Sequence, residues 1–364
     1  MAAKKLLSVT LKLKIFCVRM PTLFLSRKIM HIWLALLLVI IAGVINGSFA
    51  LFAKRVPKWR FENIWLMYSI WCFLLIPWIT MFILAPNVLS IYALLPVHLL
   101  WIMIIGGFLF GIGMICFAFA MNIVGMGLSF LMNIGIGTAL GFLLPLVFQH
   151  TSELVTSFGV VTLIGVVIIV LGLWLSYRAG QVRDGAQSQQ HGKAFVLGII
   201  LGMIAGLFSA GENMAFSLTV PMQHIALQHG LSPLASANIM WPGFLVFTFV
   251  PYVIYMLVLH QKNHSWSYLL KPGTGHYHVY PIIMGLFWYG SLIFYSKASQ
   301  LIGTLGPVIG WPLFMALIIL TSNFWGWQQG EWQKAPVGAK HTLRWGLVLF
   351  VIAVIVLGYS AHLS

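Results

Sequence analysis

Apolar runs of about 20 residues recur from residue 31 to residue 361, with almost no charge inside them. Each is long enough to cross the hydrocarbon core of a bilayer as a helix, which needs ~20 residues. An open sheet cannot do this, because its unpaired backbone groups would face lipid, and the strand alternation of a barrel is absent. Charged residues make up 7% of the chain, against roughly 25% in a soluble domain. The fold class is therefore all-α: a polytopic membrane protein with no sizeable soluble domain. Ten spans are expected, at about 31–53, 63–85, 100–120, 126–148, 157–177, 194–220, 236–259, 279–300, 307–327 and 343–361.

Charge sets the orientation. The net charge of +15 is not the footprint of nucleic-acid binding, because the basic residues sit at span ends. Twelve fall in the loops after spans 1, 3, 5, 7 and 9, from Lys54 to Arg344. The opposite loops carry none apart from Lys297 near the end of span 8. Positive loops stay cytoplasmic, so both chain ends face outward. Residues 1–29 conflict with that, holding seven more Lys and Arg. Either this extension is a cytoplasmic tail with an extra or re-entrant segment, or translation begins at Met30; the second is the expectation. Cys17, Cys72 and Cys116 make no disulfide framework.

Among the five acids, Glu62, Glu153, Asp184 and Glu331 lie at or beyond span ends, while Glu212 lies well inside AFVLGIILGMIAGLFSAGENMAFSLTV (194–220). A carboxyl at membrane depth is costly and marks an ion or substrate pathway. Nine residues separate it from Pro221, or ~13 Å of helix rise, which places it near the middle third of the bilayer. Burial favours its neutral form, so it is the proton-coupling candidate. The bland alternative is a permanently protonated Glu making one structural hydrogen bond.

The chain repeats itself. Span 1 reads AGVINGSFALFAKRVP (42–57) and span 6 reads AGLFSAGENMAFSLTVP (205–221). Span 3 ends FAFAMNIVGMG (117–127) and span 8 ends FYSKASQLIGTLG (294–306), each followed by immediate re-entry through a Gly-rich turn. This predicts two five-helix halves, 30–177 and 194–364, joined by a cytoplasmic linker at 178–193. Five is odd, so the second half is inverted, a transporter signature with the site at the repeat interface.

The segments PWITMFILAPN (77–87), GIGMICFAFAMNIVGMGLSFLMNIGIGTALGFLLP (111–145), YRAGQ (177–181), GLFSAG (206–211), GLFWY (285–289) and GEWQKA (330–335) carry a resemblance over about residues 40–361. In their order and spacing the chain resembles the L-rhamnose–proton symporter family of the drug/metabolite transporter superfamily. The resemblance implies ten helices in two inverted halves, in the inner membrane, importing a sugar with protons. It also implies a small-molecule sugar and a proton as partners, with no cofactor. The sequence departs from the family pattern at Glu212, where an uncharged residue is expected after FSAG.

The candidate sugar ligands are Asn46 and Asn213, whose amides both donate and accept, and the rings of Trp288, Tyr289 and Trp311 as stacking surfaces. Trp241, at a span start, fits the interfacial aromatic belt instead. Lys297 is a possible charge partner for Glu212, or else snorkels to the surface. Asn133 and Asn323 are weaker pore-lining candidates. Gly137 and Gly141 form a GxxxG expected to pack closely. His260, His264, His276 and His278 lack the accompanying acids or cysteines of a metal site. With no nucleotide-binding loop and no catalytic triad, neither an ATP-driven pump nor an enzyme is expected. The rival readings are an exporter of amphipathic metabolites and, from a different class, a non-transporting receptor or scaffold. The sequence assigns no oligomeric state.

Overall fold

A computed structural model describes residues 30–183, 185 and 193–363. The basic extension at 1–29 and residues 186–192 of the linker lie outside that range. The described residues form helices and turns only, and ten helices are long and apolar enough to cross a membrane. In chain order they are α1 (Met30–Arg55), α2 (Phe61–Leu84), α3 (Val97–Val124), α4 (Gly127–Gln149) and α5 (Ser157–Arg183). The second five are α6 (Lys193–Gln228), α7 (Pro233–Asn263), α8 (Gly275–Ile302), α9 (Gly306–Gln328) and α10 (Val337–Leu363). The ten expected spans are all present. Helix α5 runs on to Arg183, so the first part of the expected linker is helical.

Proline shapes the helices that matter most. In α2 the turn Ile70–Leu75 opens into a π-helical turn just before Pro77. Proline lacks an N–H and its ring crowds the carbonyl four residues back, so a wider turn relieves the clash. In α6 the α-helix ends at Leu218 and restarts at Val220, with Pro221 in the first turn of the new segment. Pro145 sits inside α4 and leaves the carbonyl of Gly141 without its helical donor.

Helix α3 packs on α6 and α7, and α4 packs on α6 and α9. Helix α5 packs on α10, α2 on α7 and α8, and α8 on the last turns of α1. The α1–α9 pair is so close that a Cβ on Gly43 would lie 2.3 Å from Leu317 Cβ. Exchanging each helix with the one five further along maps these pairs onto one another. Helices α3 and α8 end alike, at Gly125 (φ 84°, ψ 162°) and Gly303 (φ 98°, ψ −147°). That region is open essentially to glycine alone. No heavy atom would meet a Cβ at either site, so the backbone conformation, not crowding, demands glycine.

The loops grouped by positive charge meet at one end of the bundle. Lys54 Nζ reaches Gln329 Oε1 at 2.6 Å and Glu331 Oε1 at 2.5 Å. Arg183 lies over the Trp332 ring and 3.9 Å from Glu331 Oε2. At this same end α2 is clamped to α7. Asn63 Nδ2 donates to the Ser265 carbonyl, Asn263 Nδ2 donates to Glu62 Oε1, and His260 stacks on Trp266. The opposite end is held by neutral contacts, such as Ser217 Oγ to Gln149 Oε1 and Gln300 Nε2 to Ser236 Oγ.

Candidate substrate and proton site

Glu212 and Asn213 are neighbours on α6, but their side chains leave the helix about 100° apart, and the two do different work. Asn213 is fully buried and saturated. Its Nδ2 donates to the Gly141 carbonyl at 2.9 Å and to the Pro307 carbonyl at 2.9 Å, and its Oδ1 accepts from Tyr295 Oη at 2.5 Å. One amide thus ties α6 to α4, α9 and α8, and it supplies the donor that Pro145 withholds from Gly141. Membrane helices commonly tolerate proline this way. Expected as a sugar ligand, Asn213 has its hydrogen bonds taken by the protein in this structure.

Trp311 is likewise consumed. It is 1% exposed, and its Nε1–H donates to the Gly137 carbonyl at 2.9 Å. Its ring crosses α4 where Gly141 leaves room: a Cβ there would lie 2.2 Å from Trp311 Nε1. The expected close packing at Gly137 and Gly141 is real, and an aromatic ring is what uses it. Trp241 corrects the belt reading. It is fully buried, stacked on Phe216 at 5.3 Å between ring centroids, with Nε1 donating to Ser296 Oγ. A ring at a span start can lie inside because α7 packs into the bundle there. The belt is made by exposed rings such as Trp33, Trp101, Trp174 and Trp345.

Glu212 is the opposite case. It is 4% exposed, and its Oε1 is buried with no hydrogen-bond partner among the described residues. Its carboxyl lies within electrostatic reach of Tyr68 and Cys72 on α2 and of Tyr295 on α8. Lys297 does not pair with it; Lys297 Nζ donates to Gln300 Oε1 at 2.7 Å. The helix explains why. Tyr295 points at α6, where it bonds Asn213, and a residue two positions on points about 200° away.

The other candidates divide in the same way. Asn46 Nδ2 donates to Ser291 Oγ at 2.8 Å, joining α1 to α8, and Ser291 Oγ in turn donates to the Trp288 carbonyl. Tyr289 is buried on α8, and its hydroxyl has no partner among the described residues. Trp288 is half-buried, edge-on to Phe73 with 5.6 Å between centroids. Asn323 bonds its own helix at Ile319. His260 is buried between Ser265 and Glu62, and no metal-binding group of three or more His, Cys, Asp or Glu occurs among the described residues.

Glu212 thus sets a buried carboxyl oxygen without a partner inside one of ten helices long and apolar enough to cross a membrane. The profile of the L-rhamnose-proton symport protein family matches residues 28–362. The chain belongs to the L-rhamnose-proton symport protein family. Relatives named L-rhamnose-proton symporter occur in Escherichia coli O1:K1 / APEC and in Escherichia coli strain 55989 / EAEC. Each is 27% identical over 315 residues, covering 84% of this chain and 91% of the relative. Family membership makes this a multi-pass transporter of the inner membrane and not an enzyme.

For this member of the symporter family, sequence reasoning did not single out the polar side chains of α2 and α7 near Glu212. Tyr68 precedes the opened turn of α2 and Cys72 sits on it, and Tyr252 on α7 packs on the neighbouring Phe73. The available signal was Pro77, which predicts distortion in the turn before it and so singles out polar side chains at 68–76.

Proposed function

We propose that this chain is a proton-coupled sugar importer, with L-rhamnose, the sugar named for its relatives, as the substrate. The observation that carries the reading is Glu212. An ionised carboxylate with a buried, unpartnered oxygen is strongly disfavoured at membrane depth. The site is comfortable only once Glu212 holds a proton, and the protonated group then offers an O–H to a sugar hydroxyl. Proton binding therefore precedes sugar binding, and sugar release to the other side frees the proton to leave. This ordering is what couples the two fluxes.

The transport cycle rests on two inverted halves, 30–177 and 194–364, rocking about the site. The paired packing supports this: Gly43 of α1 meets Leu317 of α9, and its counterpart Gly206 of α6 meets Ile136 of α4. The matched turns at Gly125 and Gly303 support it as well. Of the sugar ligands expected from the sequence, Tyr289 and Trp288 remain the best placed, with Asn46 bridging to them through Ser291.

The test is Glu212→Gln in proteoliposomes. The variant should lose uphill, pH-driven accumulation of L-rhamnose while retaining exchange of internal for external sugar. Wild-type accumulation with an unchanged pH profile would remove Glu212 from the coupling step.

A further inference from the structure

The π-helical turn of α2 gathers polar groups whose hydrogen-bonding capacity the protein fills only in part. Cys72 sits on that turn, with Tyr68 one turn before it and the Glu212 carboxyl of α6 within electrostatic reach of both. Tyr252 of α7 packs on Phe73 beside Cys72, and Tyr289 lies one turn after Gly285, where α8 crosses Cys72. The Tyr68 hydroxyl pairs with the Cys72 thiol, while the Tyr252 hydroxyl has no nitrogen or oxygen partner among the described residues. Tyr289 Oη and Glu212 Oε1 are fully enclosed without a partner. Each such group costs on the order of 1–3 kcal/mol when left unpaired. Two of them within reach of one cysteine in a bilayer-spanning bundle are what a site looks like when its ligand supplies the missing partners.

The ring geometry is built to hold the hydroxyls still. Phe73, fully buried next to Cys72, meets Tyr68 edge-on at 5.6 Å and Tyr252 edge-on at 5.8 Å. Its third edge-on contact is Trp288, at 5.6 Å. On α8, Gly285 lets the helix cross at the π-turn, where a Cβ would lie 2.9 Å from Ile76 Cδ1 and 3.2 Å from Cys72 N. Tyr289, four residues on, then shares that face.

The chemistry of the group defines its ligand. It holds three O–H groups, one carboxyl and no cation, since Lys297 is engaged with Gln300 on another face of α8. An anion would meet Glu212 with nothing to balance it. An uncharged polyol can donate and accept with every member.

We infer that Tyr68, Tyr252 and Tyr289, arranged about Cys72 on the π-turn of α2, are the residues that read the hydroxyls of a neutral sugar opposite Glu212. This rests on the symport reading and adds its recognition surface, moved from Asn213 and Trp311 to α2 and α7. The test uses Tyr68→Phe and Tyr252→Phe, which remove only the hydroxyls and keep the ring packing. Binding of L-rhamnose to the purified protein would be read by intrinsic fluorescence, and transport by exchange in proteoliposomes.

Each variant should weaken binding at least tenfold and raise KM with maximal rate largely kept. The thermal midpoint without sugar should stay at the wild-type value. An aldonic acid should compete with neither wild type nor variants. Wild-type affinity in both variants would overturn the inference while leaving the symport reading intact. So would a thermal midpoint that falls in step with affinity, because the hydroxyls would then be structural. A wild-type protein that neither binds nor exchanges any neutral sugar would overturn both.

Discussion

Asn213→Ala separates a scaffold residue from a sugar ligand. The substitution removes two donated hydrogen bonds and one accepted bond from a fully buried position. Interhelical hydrogen bonds in membranes average only ~0.6 kcal/mol, reaching ~1.7. Here the partners make the loss larger. Pro145 has already taken the helical donor from the Gly141 carbonyl, so that carbonyl is left with nothing, at a cost of roughly 1–3 kcal/mol. The Tyr295 hydroxyl is stranded as well. The Pro307 carbonyl keeps its helical environment and adds little. Allowing for partial relaxation, the expected loss is about 2–4 kcal/mol. Tyr295→Phe removes one of the three bonds and should cost about 1 kcal/mol. The double variant should show a coupling of ~0.5–3 kcal/mol, as expected for residues in direct contact. Thermal unfolding in detergent measures the stability change, and exchange kinetics on the surviving folded protein measure KM. A stability loss under ~0.5 kcal/mol together with a tenfold rise in KM would refute the argument and return Asn213 to the sugar.

Three further outcomes follow. Gly125→Ala and Gly303→Ala should each cost ~1–3 kcal/mol, because both backbones sit where an L side chain is strained; an unchanged thermal midpoint in either would contradict the turn geometry. Gly141→Ala should drive Trp311 off α4 and lower folded yield, with partial recovery in Gly141→Ala/Trp311→Phe, measured by gel filtration of the fluorescently tagged protein. Lys54→Gln breaks an ion pair whose partners are 58% and 41% exposed, so its thermal midpoint should shift by less than ~1 kcal/mol equivalent.

The legible part of the site was the part that a single residue can announce. Glu212 stood out because a carboxyl inside an apolar run has no ordinary explanation. Tyr289 and Trp288 were singled out from their place in α8. Asn213 and Trp311 were singled out too, and the structure has their hydrogen bonds occupied, because a polar atom in a span serves equally as a ligand or as a helix tie. Only the positions of Gly141, Pro307 and Gly137 decide which. Tyr68 and Tyr252 went unremarked because tyrosine in a membrane chain is ordinary, and nothing local distinguishes one packed on a buried ring such as Phe73 from one facing lipid.

The sequence by itself determined the class, the number of spans, the end at which the basic loops gather and the residue that carries the proton argument. These follow from the cost of exposing backbone and charge to hydrocarbon, a cost that each segment meets on its own. Tertiary structure decided which polar side chains are free. That depends on how α2, α4, α6, α7 and α8 cross, where a missing proline N–H opens a turn in α2 and frees a carbonyl in α4. A hydrogen bond between helices is a property of two distant stretches at once, and neither stretch records whether its partner will come within reach.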